Sequence, residues 1–165
     1  MNPLEPPDSF HWTAAQGWLE LGNPAEANVE LEKISPAARD HPGVLMVRWR
    51  INTKLGRWEE GIQIADAIIQ LAPEIPVGWI NKATSLHALK RYQEAYDALF
   101  PAFEKFPDDK FVLYDMACYE CLLGRLDKAT QLLKKVFAGD ESMTFKKMAM
   151  LDSDLEPLRE QIQGL

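Results

Sequence analysis

Cysteine is scarce in this chain: Cys118 and Cys121 are the only two in 165 residues, too few for a disulfide framework. Long apolar runs are missing too. Nothing approaches the roughly 18–20 residues that a membrane helix needs, so no membrane role is expected. No cluster of Lys or Arg stands out, the formal charge is −7 and the pI is about 5.0, which argues against a nucleic-acid or anionic-membrane partner. Catalytic signatures are absent as well: there is no HExxH, no Gly-rich phosphate loop and no nucleophile elbow, so neither an enzyme nor a cofactor is expected. His11, His41 and His87 do not cluster in sequence, which leaves no metal set of about four ligands. The start, Met1 to Asp8, has neither a basic stretch nor an apolar one, so no secretion signal is read there and a cytoplasmic location is expected.

What is present is a repeat. Leucine recurs every 34 residues at Leu21, Leu55, Leu89 and Leu123, followed by Gly22, Gly56, Lys90 and Gly124. A small-residue column keeps the same period at Ala27, Gly61, Ala95 and Ala129. Three columns locked to one period read as one helical hairpin copied four times. With 47% apolar and 26% charged residues, the composition is that of a globular chain, long enough for one core.

Helix A of each hairpin is expected over about 8–21, 43–55, 76–89 and 110–123, and helix B over about 24–36, 58–71, 92–105 and 126–138. Ala27, Leu31 and Ile34 give helix B its apolar spacing, as do Ala95, Leu99 and Ala102, then Ala129, Leu133 and Val136. Glycine just past helix A suits the positive φ of a helix end, so Lys90 predicts a third turn that is strained or closed differently. Pro73 and Pro107 are placed to end the second and third B helices. The small column lets helix B sit close to its own helix A.

The pattern resembles the tetratricopeptide repeat, most clearly in Trp79, Ala83, Leu86, Tyr92, Ala95, Leu99, Ala102 and Pro107. The resemblance covers about residues 8–141. There are departures. Arg48 and Lys82 stand where the pattern has Leu, Trp49 where it has Gly or Ala, and Arg39 and Glu141 where it has the closing Pro. Arg48 and Lys82 either snorkel, stem buried and head in water, or put positive charge near the mouth of the groove. After the fourth copy, Phe145, Met148 and Leu151 predict a short helix. Ser153-Asp-Leu-Glu156 reads as a capping box that opens a last helix, with Pro157 in its first turn and Leu155, Leu158 and Ile162 on one face. The expected role of this tail is to cover the end of the stack.

In tetratricopeptide proteins helix A lines a concave face that holds ligands. What that resemblance implies here is a column Trp12, Met46, Ile80, Tyr114, a second column Gln16, Arg50, Thr84, Cys118, and between them Thr13, Val47, Asn81, Asp115. The partner-binding candidates are therefore Trp12, Gln16, Met46, Arg50, Ile80, Asn81, Thr84, Tyr114 and Asp115, an apolar spine with a polar edge suited to an extended peptide or an amphipathic helix. The apolar column also fits simple packing between A helices. The inner positions are mostly not basic, against the carboxylate clamp of some chaperone-binding relatives. Cys118 and Cys121 form a CxxC within a helix with no β pattern nearby, which reads as two small packing residues rather than a redox pair.

The expected architecture is thus all-α, a right-handed α-solenoid of four hairpins (about 8–41, 42–75, 76–109 and 110–141) with capping helices over about 142–165, in one domain over 1–165. The expected function is a protein–protein interaction module, adaptor or scaffold, whose partner is a protein or peptide. The alternatives are a self-assembling homo-oligomer, or a filament- or cytoskeleton-associated adaptor that uses the convex face or the stack ends.

Overall fold

The computed structural model describes residues 3–138 and 143–165. Among these it holds ten α-helices and no strand. The four hairpins are α1 (Asp8–Glu20) with α2 (Pro24–Glu32), α3 (Pro42–Lys54) with α4 (Trp58–Leu71), α5 (Val77–Ala88) with α6 (Tyr92–Lys105), and α7 (Lys110–Leu122) with α8 (Leu126–Phe137). Two further helices follow, α9 (Thr144–Leu151) and α10 (Arg159–Gly164), with 3₁₀ turns at Pro36–Ala38 and Ser153–Leu158. Glu141 and the fourth repeat's expected boundary lie outside the described residues. The fold is all-α, a helical solenoid of the tetratricopeptide type.

All four hairpin turns close in the same way. The residue after the leucine is left-handed, with φ of 76°, 71°, 60° and 76° at Gly22, Gly56, Lys90 and Gly124. Its N–H and the next one reach back to the end of helix A: Gly22 to Leu19 and Asn23 to Trp18, Gly56 to Thr53 and Arg57 to Asn52, Lys90 to His87 and Arg91 to Leu86, Gly124 to Cys121 and Arg125 to Glu120, all at 2.8–3.1 Å. These are Schellman pairs, which satisfy helix-end carbonyls. The third turn is therefore not closed differently. Lys90 takes the glycine geometry and bears a left-handed cost of about 1–2 kcal/mol.

The chain divides into two compact units, Met1–Ser85 and Leu86–Leu165, the division falling within α5. In the first unit, Ala15 and Leu19 of α1, Ala27 and Leu31 of α2, Ile34, and Val44, Val47 and Ile51 of α3 form the core. The second B helix ends at Leu71, two residues before Pro73, as expected. α2 stops earlier than expected, at Glu32 rather than about 36. Pro36 disfavours helical backbone at Ser35, and Ser35 is held outside the helix by Asp8, whose carboxylate accepts its N–H at 2.8 Å and its hydroxyl at 2.6 Å. Arg39, in place of the closing Pro, donates to the carbonyls of Glu32, the last residue of α2, and of Ile34 just beyond it, both at 3.2 Å.

Two departures from the repeat pattern turn out to be one device used twice. Arg48 Nη1 lies 2.9 Å from Glu32 Oε1, and Lys82 Nζ lies 2.8 Å from Asp66 Oδ1. Both partners are displaced by one period (48 + 34 = 82; 32 + 34 = 66). Each pair ties helix A to helix B of the hairpin before it. The cationic heads end on these carboxylates, not at the groove mouth, and at the surface each pair contributes about 0–1 kcal/mol.

A third departure is a volume exchange. Where the first hairpin has Ala15 and Ala27 at the crossing positions, and the fourth Ala117 and Ala129, the second has Trp49 and Gly61. A Cβ at Gly61 would stand 3.4 Å from Trp49 Nε1 and 2.9 Å from Ser85 Oγ. The indole takes the room that the missing side chain leaves, and donates to Ser85 Oγ at 3.0 Å.

In the second unit α7 is buried along most of its length between α6, α8 and the tail. α6 ends at Lys105, two residues before Pro107. The tail differs from expectation in two respects. Residues Ser153–Leu158 are 3₁₀, not α, and the cap is Asp152, whose carboxylate accepts the N–H of Asp154 at 3.0 Å. Pro157 has no N–H to give the α pattern. Leu155, Leu158 and Ile162 are fully buried, and the tail packs against α7 and α8. In α9 the buried residue is Ala149, while Met148 and Leu151 are exposed. Phe145 instead meets Phe111 edge-on and Tyr114 at a tilt, at ring distances of 5.3 and 5.9 Å.

Candidate functional site

The nine residues singled out from the repeat fall into two groups. Trp12, Gln16, Met46, Arg50, Ile80, Asn81 and Thr84 belong to the first unit, on α1, α3 and α5. Trp12 is half-buried, and its indole donates to the Gly43 carbonyl at 2.9 Å, so its ring also ties α1 to the start of α3. Gln16, Met46, Ile80 and Thr84 are partly exposed. Arg50 is exposed, and among the described residues no carboxylate pairs with its guanidinium, in contrast to Arg48 two residues earlier. Asn81 is only 6% exposed, and its carbonyl accepts the Ser85 hydroxyl at 2.9 Å. The middle column thus points inward at this level, as it does at Val47.

Tyr114 and Asp115 belong to the second unit and lie under the chain's own tail. Tyr114 is 4% exposed and donates to Asp152 Oδ2 at 2.9 Å. Cys118 Sγ approaches the same oxygen at 3.8 Å, and His87 Nε2 lies 2.7 Å from Asp154 Oδ2. Residues Asp152 to Leu158 therefore occupy the side of α7 on which the repeat pattern places ligands. Asp152, Asp154 and His87 do not stand out in the sequence as one cluster. The available signal was a second use of the Asp-Ser-Asp triplet beyond capping.

This cluster carries the strongest electrostatics in the unit. Burial, with Asp152 next in effect, pushes the Asp115 carboxyl up to about 7. The hydrogen bond to Asp154 raises His87 against the opposing effect of its burial. Burial likewise drives up the hydroxyls of Tyr114 and Tyr119 and the thiols of Cys118 and Cys121. Both thiols are buried and free, and that burial disfavours the thiolate a redox pair needs. Among the described residues no group of three or more His, Cys, Asp or Glu is arranged to hold a metal, and no helix is long and apolar enough to cross a membrane.

The raised values set a pH dependence. An unfolded Asp titrates near 3.9, so between about 4 and 7 the native unit holds a proton on Asp115 that the unfolded chain has released. Stability then falls as pH rises through that window. His87 acts in the same direction, its contribution fading as pH rises through its raised value. Asp8, Glu30, Glu32 and Glu94 are held low by their hydrogen-bonding partners, so their contributions fade only in acid. The expected result is a higher melting temperature near pH 5.5 than near pH 8, with Asp115→Asn removing most of the slope and adding on the order of 2 kcal/mol near pH 8. Calorimetry at the two pH values checks it; a flat or reversed profile in the parent chain contradicts this picture of the cluster.

The second unit also has an aromatic hollow of about 350 Å³ lined by Tyr96, Phe100, Phe103 and Leu132 with Lys128 and Lys135. At its side the Arg125 guanidinium lies 4.5 Å from the Tyr96 ring centroid and pairs with the buried Glu120 at 2.8 Å. This internal pair uses the charge of both groups.

No protein-family model and no curated protein matches the chain. Solved structures do match in fold. A double mutant of MamA RS-1 superposes with a TM-score of 0.71 at 18% identity, over 98% of this chain and 93% of that one. A fragment of MamA from Desulfovibrio magneticus RS-1 gives 0.71 at 18% identity, over 99% and 97%. MamA AMB-1 gives 0.61 at 17% identity, over 95% and 93%. At this identity the likeness is one of fold: this chain is similar to MamA in its helical, tetratricopeptide-like architecture.

Proposed function

We propose that this chain is a protein–protein interaction module, an adaptor or scaffold, that holds a peptide or helix of its partner against the A helices of the first unit. The observation that carries the reading is Arg50. Among the described residues it is an exposed cation without an acidic partner, on the helix face that also presents Met46 and lies one period from Gln16 and Thr84. An unpaired Arg beside a partly exposed apolar residue suits a partner that brings an apolar anchor and an acidic or carbonyl group. Trp12, Met46 and Ile80 supply the apolar side, and Gln16, Arg50 and Thr84 the polar edge. Asn81, nearly buried and accepting the Ser85 hydroxyl on its carbonyl, has a supporting place. The Tyr114 and Asp115 level, lying under the tail, belongs to the cap rather than to the resting ligand surface.

The test is affinity for a partner captured from the source organism. Arg50→Glu combined with Met46→Ala is expected to weaken binding by about 2 kcal/mol or more, roughly 30-fold, with helix content unchanged by circular dichroism. Unchanged affinity in the folded variant moves the binding site off this face.

A further inference from the structure

Two columns of helix B change character in the second unit. Glu26, Glu60 and Glu94 hold one of them, and Lys128 holds it in the last copy. Lys128 is the third residue of α8, where the helix dipole favours an acid and disfavours a lysine. The arginine column beside it follows the change. Arg91 pairs with Glu94 at the start of α6, whereas Arg125, one period on, turns to the Tyr96 ring and the buried Glu120. The other column runs Glu32, Asp66, Phe100. Its two acids take Arg48 and Lys82. In the third copy the ring of Phe100 stands in their place, 37% exposed, and the column of the cations continues as Met116. Residues that break a rule kept by the rest of a fold are expected at functional sites.

Both changes border the same hollow. Tyr96, Phe100 and Phe103 of α6 line it on one side, and Leu132 of α8 on the other, with the exposed Lys128 and Lys135 beside it. The acid that lines it, Glu120, is already paired with Arg125. Among the described residues no carboxylate pairs with either lysine. At about 350 Å³ the hollow is at the small end of ligand pockets, a size for one bulky side chain. We propose that it is a second docking site, which takes an acidic amphipathic helix of a partner protein. An apolar side chain of that helix fills the aromatic hollow, and two of its carboxylates reach Lys128 and Lys135. The lysines are seven residues apart on α8, two turns or about 10 Å along the axis. Acids at i and i+7 of a helix lying along α8 have the same spacing, with the anchor between them at i+3 or i+4. Charge selects this occupant. The chain as a whole carries −7, and here the acid columns of the B helices give way to a ring and a lysine, so the local change of sign fixes where an acidic helix lands. The site lies wholly within Leu86–Leu165 and does not depend on the ligand face of the first unit.

Titration of the full chain with short Ala-based helical peptides, followed by NMR, tests it. Each peptide carries Glu at i and i+7 with Leu, Phe or Trp at i+3 and i+4. Control peptides have Lys for Glu, or Ala for the anchor. The expected result is saturable binding of an acidic peptide, with shifts centred on Phe100, Leu132 and Lys135, and at least 10-fold weaker binding of both controls. Lys128→Glu and Phe100→Asp each restore the kind of residue that the earlier copies hold. Each is expected to weaken binding at least 10-fold while helix content stays the same. Lys128→Glu with Lys135→Glu is expected to reverse the preference, so that the Lys peptide binds better than the Glu peptide. No saturable binding by any acidic peptide, shifts confined to the first unit, equal binding of the controls, folded variants that bind like the parent chain, or a preference for phosphatidylserine vesicles over every peptide overturns the proposal.

Discussion

Removal of residues 152–165 is expected to unfold the Leu86–Leu165 unit and to cause aggregation. The tail buries Leu155, Leu158 and Ile162 completely. At about 2 kcal/mol for each fully buried aliphatic side chain, its loss removes roughly 6 kcal/mol, which is comparable to the whole stability of a typical domain. It also strips the Tyr114 hydroxyl and the His87 ring of Asp152 and Asp154, and leaves α7 and α8 with apolar surface in water. The single change Leu158→Ala isolates the packing part and is expected to cost about 2–5 kcal/mol. Thermal melting and light scattering read both variants. A truncated chain that stays soluble with an unchanged melting temperature contradicts the account of the tail as part of the core.

Gly61→Leu is expected to cost about 3 kcal/mol or more and to lower the melting temperature of the first unit. The clash is local and specific. Even a Cβ would lie 2.9 Å from Ser85 Oγ and 3.4 Å from Trp49 Nε1, and overpacking of this kind costs about 1–3 kcal/mol. The displaced groups form a short relay, Trp49 Nε1 to Ser85 Oγ to the Asn81 carbonyl, at 3.0 and 2.9 Å. Breaking it leaves buried polar groups unpaired, each worth a further 1–3 kcal/mol or so. The double change Trp49→Ala with Gly61→Ala recreates the Ala–Ala pair of the first and fourth hairpins and is expected to be far milder than Gly61→Leu alone. A normal melting temperature for Gly61→Leu contradicts the close crossing.

The hairpins were legible in the sequence because their signals are periodic and local. Leucine followed by glycine marks a turn whose hydrogen bonds run over six residues, and the small column marks the crossing. The A helices accordingly start and stop within a residue or two of the positions read from the pattern. The departures from the pattern were visible, but their causes were not, because each cause lies in another column. Arg48 makes sense only with Glu32, and Trp49 only with Gly61 and Ser85. α2 ends early because Asp8, 27 residues before Ser35, holds it. The apolar face of the tail marks it as a cap, and the buried Leu155, Leu158 and Ile162 match that reading. That the same segment also lies over Tyr114 was out of reach, since it depends on where Asp152 falls in space. On the ligand face, the sequence could place a column on a helix but not rank its exposure. Arg50 and Asn81 stand in adjacent columns of neighbouring hairpins, and one is open where the other is buried.

The central claim is that the partner is held on the A helices of the first unit, and in-cell photo-cross-linking tests it most directly. A photoreactive residue is placed at Arg50 and at Thr84, and as a control at the exposed Gln63 of α4. The account predicts one discrete adduct from positions 50 and 84, none from 63, and loss of the adduct at 84 when Arg50→Glu and Met46→Ala are added. An adduct from position 63 with none from 50 or 84 would show that the partner sits on the opposite face and would contradict the account.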